Sequence, residues 1–217
     1  MNIRHQEVLA SAGRMSGIPQ VTFGFWVIKT VATALGEVGG HAVGGTGSYL
    51  IAIACVASIG GLFAIDRYNE VAFWLVLLAV SVVSAALAHT TDHSLGIGDF
   101  AASLQLAALL VLALIVWFRT AGTIGIASIV SVRDKALFWI AVMLAQTFAS
   151  ALADWTIDPG QTGSAIVPLA VVLGLPAVAV VSRRERATHP ALFWTTFVLT
   201  GILGALWGDL LVRLAIF

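Results

Sequence analysis

The stretch that decides the fold is FWVIKTVATALGEVGGH, residues 25–41, because its frame returns three more times. The copies are FWLVLLAVSVVSAALAH at 73–89, FWIAVMLAQTFASALAD at 138–154 and FWTTFVLTGILGALWGD at 193–209. Each opens on a Phe-Trp pair. Fifteen residues after the Trp, each carries a protonatable, metal-capable side chain: His41, His89, Asp154 and Asp209. Recurrence of one frame marks a tandem-repeat architecture, and such side chains are costly in hydrocarbon, so the four positions are the first functional clue.

Composition sets the class. Hydrophobic residues make up 59% of the 217 and charged residues 10%, with a mean hydropathy of +1.00. A soluble domain of this size needs far more charged surface, so most of the chain faces lipid or other helices. Eleven basic and eleven acidic side chains leave no net charge, which argues against nucleic acid as a partner. The single cysteine, Cys55, excludes an intrachain disulfide and a thiolate metal site.

A spanning helix needs about 20 apolar residues. That template predicts an all-α, polytopic membrane domain over 1–217 with seven spans, at 22–41, 48–66, 71–91, 100–118, 136–154, 164–182 and 191–213. Lys29 and Glu37 make the first the weakest. Residues 1–20 read as a polar cytoplasmic tail, and Thr120–Val132 as a connecting segment. Spans one, three, five and seven carry the frame. Spans two, four and six follow glycine-containing loops, so the unit is a two-helix hairpin in parallel, pseudo-symmetric repeats, approximately 22–68, 70–119, 136–183 and 190–217. The fourth copy is cut short after its first helix. Basic residues at Arg4, Arg14, Arg67, Arg119, Arg133, Lys135, Arg183, Arg184 and Arg186 fall on one side, against Arg213 on the other. The positive-inside rule then places the N-terminus in the cytoplasm and the C-terminus outside, in a bacterial inner membrane.

This pattern resembles a bacterial membrane family of tandem repeats of unknown function, each of two membrane helices with a characteristic tryptophan. Phe25, Trp26, Lys29, Thr33, Gly36, Glu37 and Gly40 match its Phe-Trp-x-x-Lys-x-x-x-Thr-x-x-Gly-Glu-x-x-Gly pattern. The resemblance runs from Phe25 to about Arg213. It implies the hairpin architecture and no defined activity. In that family the position fifteen after Trp is usually acidic, and His41 and His89 depart from it.

At about 100° per residue, positions three, seven, ten, eleven, fourteen and fifteen after Trp share one helix face. Positions ten and fourteen read Gly36/Gly40, Ser84/Ala88, Ala149/Ala153 and Gly204/Gly208. Small residues at that spacing let helices approach closely. The simplest assembly turns the four faces inward. His41, His89, Asp154 and Asp209 would then ring a cation near the outer end, with Glu37 about 6 Å deeper by helical rise. Two imidazoles and carboxylates suit Zn, Mn, Fe, Co or Ni better than Mg or Ca. Thr33, Ser81 and Gln146, at position seven, would supply neutral oxygens along a pathway, and Asp92 and His93 would lie at its entrance.

The bland alternatives stay open at this stage. The ring residues can simply end their helices in water, Lys29 can snorkel to headgroups, and the tryptophans can anchor an interface. No phosphate loop, nucleophile elbow or HExxH helix is present, so enzyme chemistry finds little support. The rival classes are a haem or redox protein using His41 and His89 as axial ligands, and a non-transporting scaffold or sensor. The leading expectation is a transporter or channel for a small cation, most of all a divalent transition metal, whose other partner is the lipid bilayer.

Overall fold

The computed structural model describes residues 18–42, 69–95, 99–129, 131–157, 163–185 and 190–215. The tail, the expected span at 48–66 and most loop residues lie outside the described residues. So do the side chains of His89, Asp92 and His93. Among the described residues there are six α-helices: α1 (Phe23–Ala42), α2 (Glu70–Leu95), α3 (Asp99–Ala121), α4 (Val132–Ile157), α5 (Gly163–Glu185) and α6 (Pro190–Ala215). The connecting segment after α3 holds one 3₁₀ turn, Ile126–Ser128.

Local sequence explains the boundaries. Ser131 and Asp134 form a reciprocal cap on α4: the Asp134 amide donates to Ser131 Oγ at 3.1 Å, and the Ser131 amide donates to Asp134 Oδ2 at 3.1 Å. Asn69 caps α2 through the Ala72 amide. Gly122 ends α3 at φ 73°, its amide donating to the Phe118 carbonyl at 2.8 Å. A left-handed residue there favours glycine.

Among the described residues, four segments are long and apolar enough to cross a membrane: Glu70–Ala88, Phe100–Ala121, Val132–Thr156 and Pro190–Ala215. That is fewer than the seven expected. Lys29 and Glu37 interrupt α1, the apolar stretch within α5 is the shorter Ile166–Val180, and 48–66 is outside the described residues. The surface is widely apolar: Leu104, Val172 and Leu214 are more than half exposed. The interior is mainly apolar too, yet it also holds Lys29, Glu37, Gln146, Ser84 and Asp209. Exposed apolar faces around buried polar groups are an arrangement a bilayer favours.

The four helices that carry the repeated frame form a closed ring in the order α1, α2, α4, α6, with α6 returning to α1. Their Phe-Trp ends show the closure directly. Phe25 meets Trp74 at 5.2 Å between ring centroids, Phe73 meets Trp139 at 5.5 Å, Phe138 meets Trp194 at 6.2 Å and Phe193 meets Trp26 at 5.5 Å. Each Phe contacts the Trp of the next copy, and the fourth contacts the first. Trp139 and Trp194 are buried in this girdle, as Trp117 is beside it. The buried tryptophans thus pack the bundle; Trp207 alone of the seven is mostly exposed.

Further along, the small residues do what their spacing predicts. A Cβ on Gly36 would run into Ser81, and one on Gly208 would run into Glu37 Cβ and the Ala34 carbonyl. The helix backbones are in near contact at both seams of α1. Outside the ring, α3 lies on α4, and α5 lies between α4 and α6.

Candidate cation site in the bundle axis

The ring turns one polar face of α1 inward, and the side chains on it descend in steps of one turn. His41 stands at one end, then Glu37, Thr33 and Lys29, before the aromatic girdle. Twelve residues separate Lys29 from His41, about 18 Å of helix.

At the His41 end, His41 Nε2 is hydrogen-bonded to Asp209 Oδ1 at 2.7 Å. His41's side chain is 32% exposed and that of Asp209 is 7% exposed, so the pair reaches from the bundle interior to its rim. One turn deeper, Glu37 is buried and its Oε2 accepts from Ser150 Oγ of α4 at 2.9 Å. One ligand atom from each of Glu37, His41 and Asp209 lies within 4.8 Å of the others. Asp209 Oδ2 is buried with no hydrogen-bond partner among the described residues. A buried carboxylate oxygen left without a donor costs free energy, so it is an atom ready for a cation.

Three of the five sequence-derived ligands therefore converge: Glu37, His41 and Asp209. Asp154 is half-buried and is not part of this group. The side chain of His89 lies outside the described residues, as do those of Asp92 and His93.

The middle layer is Thr33, Ser81 and Gln146, all buried. Gln146 Nε2 donates to Thr33 Oγ1 and to Ser81 Oγ, each at 2.9 Å. Those hydroxyls donate in turn to the Lys29 and Leu77 carbonyls of their own helices. Thr33 and Ser81 thus tie three helices together through Gln146 instead of lining a path with available oxygens. Gln146 Oε1 is the atom left over, buried and without a hydrogen-bond partner among the described residues.

Lys29 overturns its sequence reading most plainly. It does not snorkel. The side chain is fully buried in the axis, and Nζ donates to the Phe197 carbonyl of α6 at 2.6 Å while lying 4.3 Å from the centroid of the Phe197 ring. Gly201 makes the room: a Cβ there would lie 3.0 Å from Lys29 Nζ and 3.1 Å from Gln146 Oε1. Snorkelling needs a face open to the membrane edge, and α6 occupies that face.

Two partners escaped the sequence. Ser150 was legible in principle, since it stands eleven after Trp139 as Glu37 stands eleven after Trp26. The Phe197 carbonyl left no signal, because a main-chain acceptor has no identity in a sequence. Comparison with known proteins adds no relative: no family model, curated protein or solved structure matches the chain.

Proposed function

We propose that this protein is a multi-pass membrane transporter of a small cation, a divalent transition metal ahead of a proton, with Glu37, His41 and Asp209 as its binding site. The architecture in this reading is seven passes in parallel hairpin repeats of the tandem-repeat type, N-terminus inside, in a bacterial inner membrane. His89, at the same repeat position in α2, is a further ligand in this reading, and Asp154, which stands outside the converging group, is not. The observation that carries the reading is the convergence of one imidazole and two carboxylates inside an apolar bundle. Buried ionisable groups in such a setting mark ion pathways by default.

The donor set favours zinc, manganese, iron, cobalt or nickel over magnesium, because an imidazole nitrogen suits a borderline ion. Bonds of about 2.0–2.2 Å would need Glu37 drawn in and the His41–Asp209 hydrogen bond opened to admit the ion. His41 at the rim receives the ion, Asp209 Oδ2 and Glu37 hold it, and Ser150 keeps Glu37 oriented. Below the site, the Lys29 amine closes the same column by donating to the Phe197 carbonyl of α6.

The test is metal titration of purified full-length protein with Zn²⁺ and Mn²⁺, paired with uptake into vesicles containing it. Wild type should bind about one equivalent, and Glu37→Gln and Asp209→Asn should each lose at least about 100-fold in affinity, the scale expected for removal of a ligand or its support. Binding that survives both substitutions would refute the site. Binding without uptake would leave a metal sensor and refute transport.

A further inference from the structure

We propose that a groove of about 970 Å³ between α1, α5 and α6 seats an apolar membrane-crossing helix of a partner chain, running antiparallel to α6. The repeats support this seat independently of the metal site. On α6, Leu199 and Leu203 stand five and nine residues after Trp194. Both pack in a cluster with Val167 and Val171 of α5. Gly174 of α5 comes so close that a Cβ there would lie 2.9 Å from Leu199 Cδ1. On α4 the corresponding Leu144 and Phe148 belong to the main core, and α3 lies on that helix.

On α1 the corresponding residues are Val31 and Leu35, five and nine after Trp26. Each is 53% exposed, and both line the groove. Its other walls are Leu175 of α5 and Leu203 and Trp207 of α6. The seat thus relates to α6 and α1 as the seat of α5 relates to α4 and α6, and no described helix fills it.

The groove's chemistry specifies the occupant. No charged residue lines it. Its hydroxyls are committed to their own helices: Thr30 donates to the Trp26 carbonyl, Thr196 to Leu192 and Thr200 to Thr196. From Phe23 to Leu35 its α1 wall runs about 18 Å, over half of a bilayer core of about 30 Å. A long apolar slot without polar demands fits a helix or an acyl chain, and the filled sister seat holds a helix with glycine against the residue five after Trp. The partner helix should likewise bring a small residue to Val31.

A peptide of residues 163–185, which occupies the sister seat in the native fold, serves as the probe. It carries Gly174→Cys and is added to full-length Val31→Cys protein in phosphatidylcholine vesicles under mild oxidation. The expected result is a one-to-one disulfide adduct, suppressed by excess peptide lacking the cysteine. Its yield should exceed by about tenfold that at Leu112→Cys, on an exposed face of α3, as about 1.4 kcal/mol of specific seating would give. Equal yields at the two positions would mean that lipid fills the groove. A bond from Val31→Cys to Cys55 of the same chain would mean that the chain covers its own seat, and Val31→Cys homodimers would mean a second copy. Each of these three outcomes overturns the proposal.

Discussion

The two ends of the four-helix ring are built on different principles. At the Phe-Trp end, all four copies contribute alike, and every Phe meets the Trp of its neighbour. At the other end the contributions are unequal: α1 supplies Glu37 and His41, while α6 supplies Asp209 and Gly208, which makes room for Glu37. Repetition fixes the architecture, and departures from repetition place the chemistry. The seam between the first and last copies is where those departures meet.

That contrast can be broken by substitution at either end. Gly208→Leu should have the largest effect, because its side chain would enter the space of Glu37 Cβ and the Ala34 carbonyl. Overpacking of a tight seam costs about 3 kcal/mol, and thermal unfolding in detergent should register it; a melting temperature unchanged from wild type would refute the near-contact of α1 and α6. Asp209→Asn comes next. It should leave unfolding nearly intact yet reduce metal affinity by about 100-fold, equivalent to about 2.7 kcal/mol. Loss of fold instead of affinity would make the His41–Asp209 contact structural.

Lys29→Met sharpens the comparison in the opposite direction. Over the about 18 Å of helix to His41, at an effective dielectric of about 20, a charged amine would oppose a divalent ion by about 1.8 kcal/mol. Its removal should tighten metal binding by about 20-fold in the same titration. Unchanged affinity would mean that the amine is uncharged at that depth. The smallest effect belongs to the symmetric end: Phe138→Leu removes one of four equivalent aromatic contacts and should cost about 1 kcal/mol of stability without altering metal affinity. A change in affinity there would couple the two ends.

Much of this arrangement was legible in the sequence, for an identifiable reason. Equal spacing from Trp fixes both the level and the face of a side chain on a helix. This is why Thr33, Ser81 and Gln146 were found in one layer, and why Gly36 and Gly208 were placed at helix seams. Spacing says nothing about which helix lies beside which, so the equal ring of four ligands was only partly recovered. Asp154 shares Asp209's register but is not part of the group with Glu37 and His41. Lys29 was misread because hydropathy registers the cost of a charge and not the acceptor waiting across the axis. The weakness of α1 as an apolar span was itself a sign that its polar residues face inward.

The closed ring also bears on how the molecule comes to exist. Lys29 and Phe197, like His41 and Asp209, are joined across 168 positions of chain. The helix that carries Lys29 and Glu37 is made before its partner α6. Contacts of such wide separation form late, after the intervening chain has been ordered. Until α6 arrives, α1 must hold an amine and a carboxylate in the bilayer without their final neighbours, so it depends on whatever shelters nascent chains during insertion.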